Sequence, residues 1–346
     1  MSVMEAPDYD GHEEVVFARD PETGLRTIIA IHNSKLGPAL GGCRMWAYAT
    51  EAEAISDVLR LSRGMTYKAA TAGVKLGGGK AVIIGDPHSD KRPQLLHAMG
   101  RQIDSLDGRY ITGEDIGTNP DDMAEIKKTT RYVTCLHQKD GGYGDPAPLT
   151  ALGVMSAMRA GIEASLGTSE LKGVRVALQG VGNVGRNLCR LLVEAGAALT
   201  VSDTHQPNLE RAVAEFGAAA VAPEAIYDAQ VEVFAPCAMG GVLDDDTIPR
   251  LKARVVAGGA NNQLGRAHHG ESLAQRDIVY LPDYVANGGG LICVAAEWYG
   301  DAAEEVESKV RRIYHTCVDI IERARSGGVA TSVAADRIAE ERFGAS

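Results

Sequence analysis

The chain has 346 residues, 45% hydrophobic and 23% charged, the proportions of an ordinary folded protein, which exclude disorder, collagen-like repeats and coiled coil as its main architecture. At ~150 residues per domain that length leads to an expectation of two domains. The formal net charge of −11, with no five-residue basic run, opposes binding to a nucleic-acid backbone.

Apolar stretches such as Leu291 to Ala296 fall far short of the ~20 residues a membrane span needs. The N-terminus, Met1 to Asp8, has neither the basic flank nor the apolar core of a secretion signal, so a soluble cytoplasmic protein is expected. Cys43, Cys135, Cys189, Cys237, Cys293 and Cys317 are scattered without a Cys-x-x-Cys pair and read as reduced thiols near cores. The histidines lack ligand spacing, and the adjacent His268 and His269 are expected to point to opposite sides of any element, so no metal is expected.

In chain order, Glu14 to Ala18 and Arg26 to Ile31 are β-rich runs around Pro21-Glu22-Thr23-Gly24, which predicts a hairpin. Ile55, Val58, Leu59 and Met65 recur at helical spacing, predicting an amphipathic helix from Glu51 to about Lys68. Gly77-Gly78-Gly79 then leads into Lys80 and a short strand, Ala81 to Ile84. A helix from about Pro93 to Leu106 precedes a strand, Arg109 to Thr112, which runs into Gly113-Glu114-Asp115-Ile116-Gly117. Asn119-Pro120-Asp121-Asp122 supplies the cap, first-turn proline and acidic first turn of the next helix.

The second half alternates more regularly. Strands are predicted at Val174 to Leu178, Leu199 to Ser202, Val231 to Phe234 and Arg254 to Ala257, with a helix through Asn187 to Leu192, which argues for a parallel α/β sheet. A charged amphipathic helix is predicted from Ala302 to Arg325, stopped by Gly327-Gly328, and a last one near Thr331 to Phe343. The domain boundary is expected in the Gly/Pro-rich stretch from Gly141 to Pro148, giving an N-terminal domain over 1–145 and a dinucleotide-binding domain over 146–328.

Gly180-Val181-Gly182-Asn183-Val184-Gly185 follows a strand, opens a helix and is followed by Asp203 at the end of the next strand, the full context of a dinucleotide-binding fingerprint. The glycines let the backbone approach a pyrophosphate at the positive end of a helix. Asp203 suits a ribose hydroxyl and repels a 2′-phosphate, and Thr204-His205 offer no arginine, so NAD is expected over NADP. In the first half three polar residues need a reason. Lys68 ends an otherwise apolar helical stripe, Lys80 lies between glycines and a buried-looking strand, and Asp115 lies just past a strand. Singly they read as a solvated helix end, a strand-edge charge and a turn acceptor. Together they suggest chemistry. A lysine crowded by a second cation and partly desolvated gives up its proton more readily, its charged neighbour can pair with a carboxylate, and an aspartate can exchange protons with a bound amine or water. The glycines before Lys80 would leave room for substrate to meet the backbone.

The sequence resembles the leucine/phenylalanine/valine dehydrogenases, relatives of glutamate dehydrogenase, from about Glu14 to Phe343. The motifs are Leu40-Gly41-Gly42, Gly64-Met65-Thr66-Tyr67-Lys68, Gly77 to Ile84, Gly113 to Gly117, the loop from Gly180 to Gly185, Ala235-Pro236-Cys237-Ala238, Gly259 to Leu264 and Pro282-Asp283-Tyr284-Val285. The resemblance implies an α/β protein of two domains, an N-terminal catalytic domain and a Rossmann-type NAD-binding domain, with the active site in the cleft and the C-terminal helix (329–346) returning to the first. It implies that Lys68 holds the substrate carboxylate, Lys80 activates water for attack on an imine, and Asp115 shuttles protons to and from ammonia. Asn261 or Asn262 would position substrate and nicotinamide; without the family these read equally well as a helix cap. Ala235, Pro236 and Cys237 would join the fingerprint residues at the cofactor.

The side-chain pocket implied by the family is lined by Leu40, Gly41, Gly42, Met65, Gly113, Thr134, Leu291 and Val294. None is charged, which argues against glutamate and for an apolar side chain. Gly113, where branched-chain enzymes often carry alanine, would enlarge the pocket; Leu291 in place of valine would shrink or reshape it. Gly79 does not decide, while Cys43, Asn287-Gly288-Gly289-Gly290 and Ala296 also depart from the usual pattern. The expected reaction is reversible NAD-dependent oxidative deamination of leucine, isoleucine or valine to the 2-oxo acid and ammonium, by a homo-oligomer. The alternatives are phenylalanine dehydrogenation, an NADP-dependent glutamate enzyme and a non-catalytic NAD-binding regulatory protein.

Overall fold

The computed structural model describes residues 3–344 and divides into two compact units. The first comprises 1–144, 294–301 and 339–346; the second comprises 145–293 and 302–338.

The first unit opens with strands β1 (Glu14–Asp20), β2 (Leu25–Asn33) and β3 (Ala39–Trp46), then α1 (Glu51–Ala72), β4 (Gly77–Ile84), α2 (Pro93–Asp104), β5 (Tyr110–Glu114) and α3 (Pro120–Lys127). The five strands lie in the order β1-β2-β4-β3-β5. β1 and β2 form the expected antiparallel hairpin, β2 meets β4 antiparallel, and β4, β3 and β5 run parallel. Thr50 caps α1 by accepting from the Glu53 N–H, and Gly73 ends it in the left-handed conformation. Asn119 and Asp122 make a reciprocal capping box on α3, with Pro120 in its first turn. A core of Leu25, Ile29, Met45, Ile83, Met99, Ile103 and Tyr110 fills one face of the sheet, while α1 covers the other through Val58 and Leu59 against Ile28, Ala30 and Val82.

The glycine run belongs to β4 rather than leading into it, and the room beside it is filled by the protein itself. A Cβ on Gly78 would lie 2.0 Å from the Thr66 backbone nitrogen, one on Gly77 2.1 Å from the Asn33 carbonyl oxygen, and one on Gly79 2.8 Å from the Tyr110 ring. These glycines let α1, the β2–β3 loop and the Tyr110 ring close onto the sheet.

The second unit begins with α4 (Ala147–Leu166) and continues with β6 (Arg175–Gln179), α5 (Asn183–Glu194), β7 (Ala198–Ser202), α6 (Gln206–Phe216), β8 (Ala219–Ala220), β9 (Val233–Pro236), β10 (Val255–Val256), α7 (His269–Ala274), β11 (Val279–Tyr280) and α8 (Asp283–Ala286). Its six strands, in the order β11-β10-β9-β6-β7-β8, are all parallel. The order reverses between β6 and β9, the switch point at which doubly wound sheets bind ligands beyond the strand ends. The chain continues through α9 (Gly288–Tyr299), α10 (Ala303–Arg311), α11 (Ile313–Gly327) and α12 (Thr331–Phe343).

The single helix predicted from Ala302 to Arg325 is thus two. At Arg312 the backbone tightens to an i→i−3 bond, from its own N–H to the Lys309 carbonyl, without glycine or proline to announce it. Residues of α12 complete the first unit: Phe343 packs edge-on to Tyr67, Glu340 accepts from the Tyr67 hydroxyl, and Arg342 donates to the last carbonyls of α1, Ala70 and Thr71. No helix among the described residues is long and apolar enough to cross a membrane.

Candidate active site

Alternation along a strand sends every second side chain to one face of the sheet. The ladders pair Leu40 with Gly78 and with Ile111, and Gly42 with Gly113. Lys80, Gly42 and Gly113 therefore share the face covered by α1, which also carries the half-buried Met65 and Lys68. Lys80 is 5% exposed, and its Nζ lies 2.9 Å from Asp115 Oδ2. The same carboxylate oxygen accepts from Arg44 Nε at 2.8 Å. Arg44 reaches on to Asp57, which also accepts from the Tyr48 hydroxyl and from Arg60. Burial pushes the Asp115 carboxyl up, but Lys80 and Arg44 together outweigh it and hold the group below its ordinary value. Burial likewise opposes charge on Arg44, and Asp115 and Asp57 more than compensate. Buried charges persist only when paired in this way.

Arg44 and Asp57 were not singled out from the sequence. The available signal was an arginine inside the otherwise apolar strand Ala39–Trp46. Lys68 sits in the last third of α1, where its carbonyl accepts from Thr71 Oγ1.

Two glycines of the expected pocket serve the sheet. A Cβ on Gly41 would fall 1.7 Å from the Gly79 carbonyl oxygen, and one on Gly42 would meet the Glu114 carbonyl and Asp115 Cβ. At Gly113 the expected enlargement is absent, because Cys135 Sγ and Thr134 Oγ1 stand 2.8 and 3.1 Å from where its Cβ would be. Leu40 and Thr134 are buried, and Thr134 is tied to Thr112 by both its N–H and its hydroxyl. Cys135 holds φ +61°, which costs a non-glycine residue about 1 kcal/mol. Glu297, a lone acid in the apolar helix α9, secures this segment by accepting from the N–H groups of Leu136 and Tyr143. Burial raises its carboxyl above the ordinary value against those bonds. Of the other pocket residues, Leu291 is buried on the part of α9 that belongs to the second unit, and Val294 is half-buried where α9 joins the first.

In the second unit Gly180 takes φ +91°, where a Cβ would strike Ala238, and a Cβ on Gly185 would strike the Gly180 carbonyl 2.0 Å away. One glycine makes the turn and the other lets α5 pack on its strand. Gly182 is the N-cap of α5 with open space where a Cβ would be, and no side chain caps the helix. The free N–H groups through Asn183 and Val184 suit an anionic diphosphate. Asp203 accepts from the Val181 N–H through Oδ2 and from the His205 N–H through Oδ1, each at 2.8 Å. At the end of β9, Ala235 and Pro236 are buried, and just past it Cys237 Sγ accepts from the Gly259 N–H. These features fit a dinucleotide. Neither Asn261 nor Asn262 caps a helix. Asn261 Oδ1 accepts from Asn287 Nδ2 at 2.7 Å, and Asn262, at φ +53°, donates its N–H to Asp283.

His268 and His269 do not diverge as expected. Their rings lie 4.3 Å apart and both Nε2 atoms face Asp245 Oδ1, at 3.7 and 3.2 Å, because neighbours at a helix start are turned by ~100° and not 180°. His269 Nδ1 accepts from the Arg266 N–H, so in the neutral ring Nε2 carries the proton and has no lone pair for a cation. All six cysteines are free.

Family models match nearly the whole chain. Residues 12–132 match the Glu/Leu/Phe/Val dehydrogenase dimerisation domain, and residues 141–209 and 204–343 match the glutamate/leucine/phenylalanine/valine dehydrogenase domain. The chain belongs to the Glu/Leu/Phe/Val dehydrogenase family. It is 51% identical to a leucine dehydrogenase of Bacillus subtilis, over 98% of this chain and 93% of that one. It is 47% identical to a phenylalanine dehydrogenase of Bacillus thermotolerans, over 96% and 88% of the two chains. The crystal structure of L-tryptophan dehydrogenase from Nostoc punctiforme superposes with a TM-score of 0.87 at 46% identity, covering 96% of each chain. The protein is therefore an amino-acid dehydrogenase, and the two-domain α/β architecture with a Rossmann-type half is that of the family.

Proposed function

We propose that this amino-acid dehydrogenase uses NAD to deaminate an apolar L-amino acid, with leucine, isoleucine and valine ahead of phenylalanine. The observation that carries the reading is the pairing of buried Lys80 with half-buried Asp115, an acid and a base 2.9 Å apart on a sheet face beside glycines. Lys68 grips the substrate carboxylate, and Asp115 takes a proton from its ammonium. NAD held there would supply the acceptor for the hydride of Cα. Lys80 removes a proton from water as the oxygen attacks that carbon. Asp115 then returns a proton to nitrogen, the C–N bond breaks as the hydroxyl gives its remaining proton to the departing ammonia, and the 2-oxo acid and ammonium are left, with the proton taken by Lys80 released to solvent. Overall, amino acid, NAD⁺ and water give 2-oxo acid, ammonium, NADH and a proton, and each residue reverses its role in the opposite direction.

Asn261, with its carbonyl oxygen engaged by Asn287, keeps its amide N–H₂ to orient substrate and nicotinamide. Gly180, Gly182, Asn183, Val184, Gly185, Ala235, Pro236 and Cys237 cradle the cofactor, and Asp203 takes a ribose hydroxyl. Identity to leucine dehydrogenases and the uncharged set Leu40, Gly41, Gly42, Met65, Gly113, Thr134, Leu291 and Val294 support an apolar substrate; similarity to phenylalanine and tryptophan dehydrogenases supports the aromatic alternative. The chain acts as a homo-oligomer in the cytoplasm, consistent with a dimerisation-domain match and free thiols.

Initial rates of NADH formation with leucine, valine, phenylalanine and glutamate test the substrate: leucine or valine leads, and glutamate as the best substrate overturns the reading. Lys80→Ala keeps cofactor binding while turnover falls by about 10²–10⁴-fold; unchanged turnover contradicts the role given to Lys80.

A further inference from the structure

The sheet face that carries Lys80 has lost its side chains on the two neighbouring strands, at Gly42 and Gly113, which the ladder sets side by side. At Gly42 the space goes to Asp115 Cβ; at Gly113 it goes to Cys135 Sγ, 2.8 Å from where a Cβ would stand. An alanine at 113 and the present Cys135 cannot coexist without movement. Cys135 is one of four non-glycine residues, among those described, with a left-handed backbone, at φ +61°, a conformation that suits glycine. The segment is held from both sides, by Thr134 on Thr112 and by Glu297 on the Leu136 and Tyr143 N–H groups. Burial pushes the Cys135 thiol up to about 12, so it is a neutral, space-filling group. At positions 113 and 135 the chain thus carries its side chain on the strained residue and none on the strand.

We propose that Cys135 determines specificity, its sulfur taking the volume that a side chain at 113 would fill and so setting the width of the substrate side-chain pocket. The inference rests on the reading above that the amino-acid side chain lies against Gly113 and Thr134.

The test is a swap in three variants, Cys135→Gly, Gly113→Ala and the double substitution, with kcat/KM measured for phenylalanine and valine and melting followed in parallel. Cys135→Gly raises the phenylalanine-to-valine ratio by about tenfold or more, the scale on which a few carbons in an apolar pocket discriminate. Adding Gly113→Ala returns the ratio to within about threefold of the parent. Gly113→Ala alone lowers the melting temperature, and the double variant recovers it. If Cys135→Gly does not fold, Cys135→Ala carries the ratio test. A ratio within about twofold of the parent in the cysteine variant overturns the inference, as does a double variant no more stable than Gly113→Ala. A parent enzyme that turns over valine and phenylalanine while the ratio stays fixed sinks this inference alone; a parent inactive on every apolar amino acid sinks the reading beneath it.

Discussion

Arg44 and Lys80 converge on one oxygen of Asp115, so the aspartate is held ionised by two cations, one anchored and one with a proposed share in the chemistry. Arg44 is fixed from behind by Asp57, and its planar guanidinium holds the carboxylate against Lys80 Nζ. Replacing Arg44 by methionine leaves Asp115 with a single cation, and its pKa rises. With ionised Asp115 as the proposed acceptor of the ammonium proton, the acid limb of the kcat/KM profile moves to higher pH. A pH–rate comparison of parent and Arg44→Met checks this, and coincident acid limbs contradict it. Lys80, Asp115 and Lys68 could be picked out by residue type and context. Arg44, Asp57 and Glu297 could not, because their meaning lies in partners 71, 13 and 161 positions away that no local pattern links. The volume exchange between Gly113 and Cys135 is hidden for the same reason.

At the scale of elements, α1 joins the sheet through buried polar groups as well as apolar ones. His12 contacts the Leu59 carbonyl and Ser62, and His32 contacts Thr66 Oγ1, their rings meeting edge to face at 4.9 Å. Asp10, Arg63 and Tyr67 surround the pair. Burial and the neighbouring His12 push the His32 imidazole down to about 4, and burial lowers His12 as well. The unfolded chain, with ordinary imidazoles near 6.5, thus binds protons that the folded chain refuses. The stabilisation is complete above pH ~6.5 and is lost as pH falls toward about 4, amounting to about 3 kcal/mol for His32 once fully protonated. Urea midpoints between pH 7 and 5 fall more steeply for the parent than for His32→Gln; parallel slopes contradict the account.

Elements with strong periodicity or caps, such as α1, α3 and the hairpin, were legible in the sequence. Three were not. α4 is buried nearly all round and shows no stripe, α9 opens with glycines that resemble a loop, and β3 carries two glycines in its middle. In each, tertiary packing overrides the local signal.

At the scale of the molecule, the first unit is completed only by the last residues described. Phe343 is 4% exposed, yet it lies in the final turn of α12, against Tyr67 and His32. Phe343→Ala therefore costs about 3 kcal/mol, as for an interior aromatic, and not the few tenths expected at a frayed end. Denaturant unfolding measures the difference, and a loss below about 1 kcal/mol would place Phe343 outside the core.

The division of the chain at residues 144 and 339 has a consequence for synthesis. The hairpin, α1 and their sheet leave the ribosome before the ring and guanidinium that close over the end of α1, which follow about 195 residues after residue 144. At about 5–20 residues per second, the intervening stretch keeps that half waiting for roughly 10–40 s. During this interval Tyr67 and the carbonyls of Ala70 and Thr71 are open to water, to chaperones or to another nascent copy.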